Sequence, residues 1–139
     1  MRMTKKPAFV AALLCAFAAG THASEWITIE SGRGMRTDFD KASLTHSGPV
    51  VKVWLRTVWN KPTRTSPGLP KITEWRGRYS INCETRRVSN IQLILSNRGT
   101  PLMHLTKPTA FTVIVSDTPM EHIADILCVR HRNSSADVI

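Results

Sequence analysis

Residues Gly77 to Arg87 read GRYSINCETRR. With the preceding Lys71–Arg76, KITEWR, they alternate: Trp75, Tyr79, Ile81 and Cys83 share one parity, while Glu74, Arg76, Arg78 and Asn82 share the other. That is the period of a β-strand with one apolar face. A cysteine on the apolar side is a metal ligand, a nucleophile or half of a cross-link. The compartment in which the chain folds decides between them.

The N-terminus speaks to the compartment. Arg2, Lys5 and Lys6 precede an apolar run from Phe9 to Ala19, and Thr21-His22-Ala23 ends on a small residue. These are the parts of an export signal with cleavage expected after Ala23. The run is too short to span a bilayer. Leu14, not a small residue, precedes Cys15, so lipid modification is not expected and Cys15 should leave with the leader. No later segment is apolar enough to cross a membrane. The leader carries three of the nineteen basic residues and none of the ten acidic ones, which leaves Ser24–Ile139 at +6. One domain of this length can build its own core. A basic exported protein meets anionic material such as phosphorylated glycolipid, polysaccharide or acidic matrix protein. Export takes it away from nucleic acid.

Export leaves two cysteines, Cys83 and Cys128. In an oxidising compartment such a pair is most simply a disulfide. A metal site would want closer ligand spacing, and a nucleophile a free thiol of lowered pKa.

Outward from Cys83, the chain reads as short strands. Glu25–Ile29 and Met35–Phe39 flank a turn at Ser31-Gly32-Arg33-Gly34, and Asp40–Leu44 forms a helical turn or tight corner closed by Ser47-Gly48-Pro49. Val50–Trp59, VVKVWLRTVW, sets Val51, Val53 and Leu55 on one face against Lys52 and Arg56 on the other, which Trp54 and Val58 share. Asn60–Pro70 is rich in proline and reads as a loop. Arg86–Leu95 has Ile91, Leu93 and Leu95 on one parity, Asn97-Arg98-Gly99 is a turn, and Thr100–Leu105 and Thr109–Val115 are weaker strands. The period then changes. Thr118-Pro119-Met120-Glu121 has the form of a capping box with proline at the first helical position, and Ile123, Ile126 and Leu127 follow at helical spacing with Cys128 beside them. His131–Ile139 has no period and reads as a flexible tail. The expected organisation is a leader over 1–23, an α+β domain over 24–130 and a tail over 131–139. Its architecture is an antiparallel sheet with one C-terminal helix packed on a face and tied by a single disulfide.

EWITI, FDKASL, VVKVWLRTVW, YSINCETR and SDTPMEHIADILC occur in that order. The order and spacing, over nearly all of the exported part, resemble the surface-adhesin protein E family of exported bacterial proteins. The resemblance implies an antiparallel sheet with a C-terminal helix locked by one disulfide. It also implies a binding role toward host matrix and serum proteins such as laminin and vitronectin, and a location in the periplasm, at the cell surface or outside the cell. The adhesin's basic binding segment precedes the first disulfide cysteine. Here that region holds Lys61, Arg64, Lys71, Arg76 and Arg78, with Leu69 and Pro70 about where the adhesin has a basic pair.

No catalytic constellation stands out, and no cofactor or metal is expected. His122 and Asp125 have the spacing of a solvated polar pair on a helix, His104 stands alone, and Asp38 and Asp40 read as corner and capping residues. The functional candidate is a basic stripe. Lys52 and Arg56 share the outer parity of one strand with Trp54, Arg76 and Arg78 share that of another, and Arg86 and Arg87 follow Cys83. Neighbouring strands would merge these into a cationic face for an acidic protein or polysaccharide, with Trp54 as its flat apolar anchor. The alternative is a periplasmic partner-binding or inhibitor-type module with no host role. Lysozyme is a poor target for it, because both proteins would be basic.

Overall fold

A computed structural model describes residues 23–136, with side chains through Val129. The expected leader lies outside the described residues, Ala23 excepted. The elements are β1 (Trp26–Gly32), β2 (Met35–Asp40), a 3-10 turn (Lys41–Ser43), β3 (Thr45–Ser47), β4 (Val50–Thr63), β5 (Ile72–Asn82), β6 (Arg87–Asn97), β7 (Thr100–Leu105), β8 (Thr112–Val113) and α1 (Pro119–Ala136). The sheet runs β1-β2-β4-β5-β6-β7, with β3 against β4 and β8 against β6, and its pairings are antiparallel.

The turns explain the meander. Arg33-Gly34 and Arg98-Gly99 each form a two-residue loop with positive φ at both positions, +51°/+75° and +49°/+82°. That backbone matches the twist of the strands it joins, and glycine takes the second position without steric cost. At the β5–β6 corner the Asn82 side chain accepts the backbone N–H groups of Glu84 and Thr85, both at 3.0 Å.

The core lies between one sheet face and the helix. Phe39, Val51, Val53, Leu55 and Ile81 come from the sheet; Ile123, Ala124, Leu127 and Cys128 come from α1. The alternation read from β4 therefore places Val51, Val53 and Leu55 inside. Cys83 continues the inward parity of β5 into the first residue past its end, donates its N–H to Pro49 O at 2.9 Å, and joins Cys128 with the two Cα atoms 5.5 Å apart. The fold is the expected α+β arrangement, an antiparallel sheet with its C-terminal helix tied down by Cys83–Cys128.

Several local readings are corrected. β4 runs on through Lys61, Pro62 and Thr63, because its pairing with β5 skips from Val58 to Thr63. Pro62 sits in that irregularity, where the ladder asks for no N–H. β3 pairs its three residues with β4 across a two-residue Gly48-Pro49 connection, where a simple corner was expected. In β6 a bulge falls at Ile91, between the Arg78–Gln92 and Tyr79–Asn90 pairs. The parity flips there, so Val88 packs against the core. The last strand shrinks to Thr112–Val113. At the start of α1, Glu121 N–H lies 3.4 Å from Thr118 Oγ1, as a capping box requires. The Glu121 carboxylate, however, reaches one residue further back, accepting Asp117 N–H at 2.8 Å. The helical backbone continues past Arg130 to Ala136, a stretch without proline or glycine to stop it.

Candidate binding face

The side of the sheet away from α1 gathers most of the basic stripe. Register places Lys52 opposite Ser80, Trp54 opposite Arg78 and Arg56 opposite Arg76. On the far side of β5, Arg78 faces Gln92, Arg76 faces Ile94 and Asn82 faces Arg87. Lys52, Trp54, Arg56, Arg76, Arg78 and Arg87 thus share one surface. Arg56 and Arg76 are like charges directly across two strands, an arrangement that repels unless it is compensated. Each has its own carboxylate: Arg56 Nε lies 2.7 Å from Asp38 Oδ2, and Arg76 lies 2.6 Å from Glu74 Oε1.

Asp38 is the anchor of this face. It projects from β2, opposite Arg56 in register, and its side chain is 1 % exposed. It accepts Thr28 Oγ1 at 2.8 Å and takes a second guanidinium, Arg36 Nε, at 3.0 Å. Burial pushes its carboxyl upward. The hydrogen bonds from Arg56 and Thr28, together with the charges of Arg36 and Arg56, outweigh that and hold it below the usual carboxylate range. The Arg56 guanidinium also lies over the Trp26 ring, 4.2 Å from its centroid. Arg56 is therefore held between an anion and an aromatic face. Sequence reading gave Asp38 and Asp40 the same corner role. Asp40 has it, accepting Ala42 N–H at 3.1 Å and Glu25 N–H at 2.8 Å. Asp38 does not, and only strand register reveals its partner eighteen residues away.

The other candidates lie elsewhere. Lys61 is in β4 beyond the pairing irregularity, Arg64 is in the following loop and Lys71 directly precedes β5; all three are exposed. Arg86 does not join the stripe. Its guanidinium reaches α1 and pairs with Asp125 Oδ1 at 2.7 Å, so Asp125 belongs to Arg86 and not to His122. His104 Nε2 lies 2.6 Å from Gln92 Nε2. No group of three or more His, Cys, Asp or Glu residues suited to a metal occurs among the described residues.

After this internal pairing, Lys52, Arg78 and Arg87 remain on the outer face without an ion pair among the described residues. The same side of the sheet holds a hollow of about 390 Å³ lined by Trp26, Asp40, Trp54, Arg76, Gln92 and Ile94, among others, and by none of these three cations. A second hollow of about 390 Å³ opens on the helix side, between β2, β4, β5 and the first turn of α1. Trp59, Trp75, Tyr79, Met35 and Met120 give it an apolar lining. Thr65 Oγ1, which also lines it, is buried without a hydrogen-bond partner among the described residues.

An antiparallel sheet, one face covered by a disulfide-tied helix and the other left charged, defines a small α+β module of the exported type. The chain belongs to the surface-adhesin protein E family, whose sequence model matches residues 26–129. Two crystal structures of Haemophilus influenzae protein E share the fold. One, crystal form II, is 14 % identical with a TM-score of 0.53, over 75 % of this chain and 94 % of that one. The other, from a non-typeable strain, is 16 % identical with a TM-score of 0.54, over 76 % and 78 %. A search of curated proteins finds no match.

Proposed function

We propose that the protein is an exported, non-enzymatic binding protein of the surface-adhesin type, and that its outer sheet face takes an acidic protein or polysaccharide. Host matrix and serum glycoproteins such as laminin and vitronectin are the protein partners that the family resemblance favours. The observation that carries this reading is the outward-facing row of Lys52, Arg78 and Arg87 without an ion pair among the described residues, with Trp54 directly opposite Arg78. These are cations with no carboxylate of their own, next to a half-buried indole. Carboxylate or sulfate groups of a ligand would meet Lys52 and Arg78, and Trp54 would supply the desolvated contact that fixes them. Arg56, and the more exposed Arg76, are already paired with Asp38 and Glu74.

Titration with heparin and with an acidic matrix protein, from 20 mM to about 0.5 M salt, tests the reading. Attraction between exposed charges fades beyond a Debye length of about 8 Å at physiological ionic strength, so affinity should fall steeply across the range. Lys52→Glu with Arg78→Glu should weaken binding about tenfold or more while leaving the melting temperature unchanged. Absence of binding at low salt, or binding indifferent to salt and to this pair, would overturn the proposal.

A further inference from the structure

Exposed large apolar side chains are concentrated in one place. Among the described residues they are Leu102, Leu105, Phe111, Val113, Val115 and Val129. Five of the six come from β7, β8 and their flanks. The same stretch is free of acid: between Glu84 and Asp117 the chain has Arg86, Arg87, Arg98 and Lys107 and no Asp or Glu. Arg86 is occupied by Asp125, whereas Arg87, Arg98 and Lys107 have no ion pair among the described residues. Among the described residues, the stretch that shows most of the exposed large apolar side chains therefore carries only positive charge of its own, between Glu84 and Asp117 at its ends.

The presentation is held by the fold. Thr109 pins the loop after β7 to β6: its N–H donates to Asn90 O at 2.9 Å, its Oγ1 accepts Asn90 N–H at 2.9 Å, and its carbonyl accepts Ser89 Oγ at 2.7 Å. Ile114 turns inward onto the core. Its neighbours Val113 and Val115 stay 63 % and 66 % exposed. Val113 is the register partner of Arg87, so apolar and cationic side chains stand together where the outer face meets the edge.

We infer that this edge is a docking surface for an anionic phospholipid bilayer. Apolar side chains immersed to the headgroup boundary, ringed by Lys and Arg, are what such an interface binds, and each cation adds electrostatic attraction. A strand from another chain is a poorer occupant. Pro101 and Pro108 remove backbone donors along this margin, and β8 is two residues long, so the hydrogen-bonding ladder it offers is confined to the few residues of β7 after Pro101. No helix among the described residues is long and apolar enough to cross a membrane. The contact is peripheral, and it adjoins the surface proposed for soluble acidic ligands at Arg87 while leaving Lys52 and Arg78 outside it.

The test is flotation of the disulfide-intact protein with vesicles of phosphatidylglycerol and phosphatidylcholine, against phosphatidylcholine alone. The parent protein should bind only the anionic vesicles. Phe111→Ser with Val113→Ser should weaken that binding about tenfold or more, with an unchanged melting curve and unchanged heparin affinity. Arg98→Glu with Lys107→Glu should do the same through charge. Vesicle binding that survives both pairs of substitutions, or equal binding to neutral vesicles, overturns the inference. Absence of vesicle binding together with a concentration-dependent mass that Phe111→Ser abolishes would assign the edge to a second copy of the chain and overturn it as well.

Discussion

Removing the disulfide should cost this domain a large share of its stability, and the size follows from the chain. Cys83 and Cys128 are 45 residues apart. Closing a loop of that length removes about 4 kcal/mol of conformational freedom from the unfolded ensemble at 25 °C in the chain-entropy model. Domains of this size are stable by about 5–15 kcal/mol. Cys83→Ala with Cys128→Ala is the cleaner perturbation, because Cys128 is buried among Ile123, Ala124 and Leu127 and a serine hydroxyl there would lack a partner. Urea denaturation should show the loss of about 4 kcal/mol, and the melting temperature should fall by about 15 °C for a domain of roughly 110 residues. The origin of the loss is separately visible. The uncrosslinked chain unfolds to a more open ensemble, so the m-value should rise while the tryptophan bands of the native near-UV spectrum persist. A loss under about 1 kcal/mol would refute the loop-entropy account. A large loss with an unchanged m-value and a collapsed near-UV spectrum would refute it too, because the bond would then be holding native packing in place.

Asp38→Asn removes a buried charge but leaves Arg56, 21 % exposed, and Arg36, 48 % exposed, some access to water. The loss should therefore fall at or below the lower end of the roughly 3–5 kcal/mol seen for broken buried pairs, by equilibrium denaturation at pH 7. The Asp38 carboxyl is held below its usual range when folded. Its stabilisation is therefore present above the unfolded value near 3.9 and is lost as pH falls through the folded value. The parent should lose stability below about pH 4, and Asp38→Asn should lose less over the same interval. Gly77→Ala would place a Cβ 2.5 Å from Tyr79 Cε2. The ring must swing off and break the Trp75 Nε1–H to Tyr79 Oη hydrogen bond of 3.2 Å. A cost of about 1–3 kcal/mol with altered tryptophan emission is expected, most of it absent in a Tyr79→Ala background.

The parts of the fold written in local periodicity were legible. Val51, Val53 and Leu55 alternate over an unbroken run, so their burial could be read directly, and Thr118 to Leu127 carried both a cap and a helical stripe. What escaped was written in pairing. Pro62 argued against a strand, yet the irregularity between Val58 and Thr63 makes room for it. The inward parity of Leu93 and Leu95 does not carry through to Val88, because the one-residue bulge at Ile91 inverts every side chain beyond it, and a bulge leaves no mark in a single strand's sequence. The site divides in the same way. That Lys52, Trp54, Arg56, Arg76 and Arg78 share outward parities followed from alternation. That Arg56 belongs to Asp38 and Arg86 to Asp125 did not, since the partners lie eighteen and thirty-nine residues apart.

Those pairings change what the chain's positive charge means. Counting residues suggests a uniformly cationic sheet, but an antiparallel face with Arg56 opposite Arg76 folds comfortably only if anions lie between or beside them. Asp38 and Glu74 meet that demand. A ligand carboxylate competing for Arg56 would have to displace Asp38, which is buried and hydrogen-bonded, and leave it unsatisfied, a loss that a water-exposed contact does not offset. On the proposed function, ligand recognition therefore falls to Lys52, Arg78 and Arg87, where no such exchange is required. Only part of the set that makes the face basic in composition is left to meet a partner. Folding demand draws the line: Arg56 and Arg76, directly opposite each other in the sheet, are the ones already committed to carboxylates.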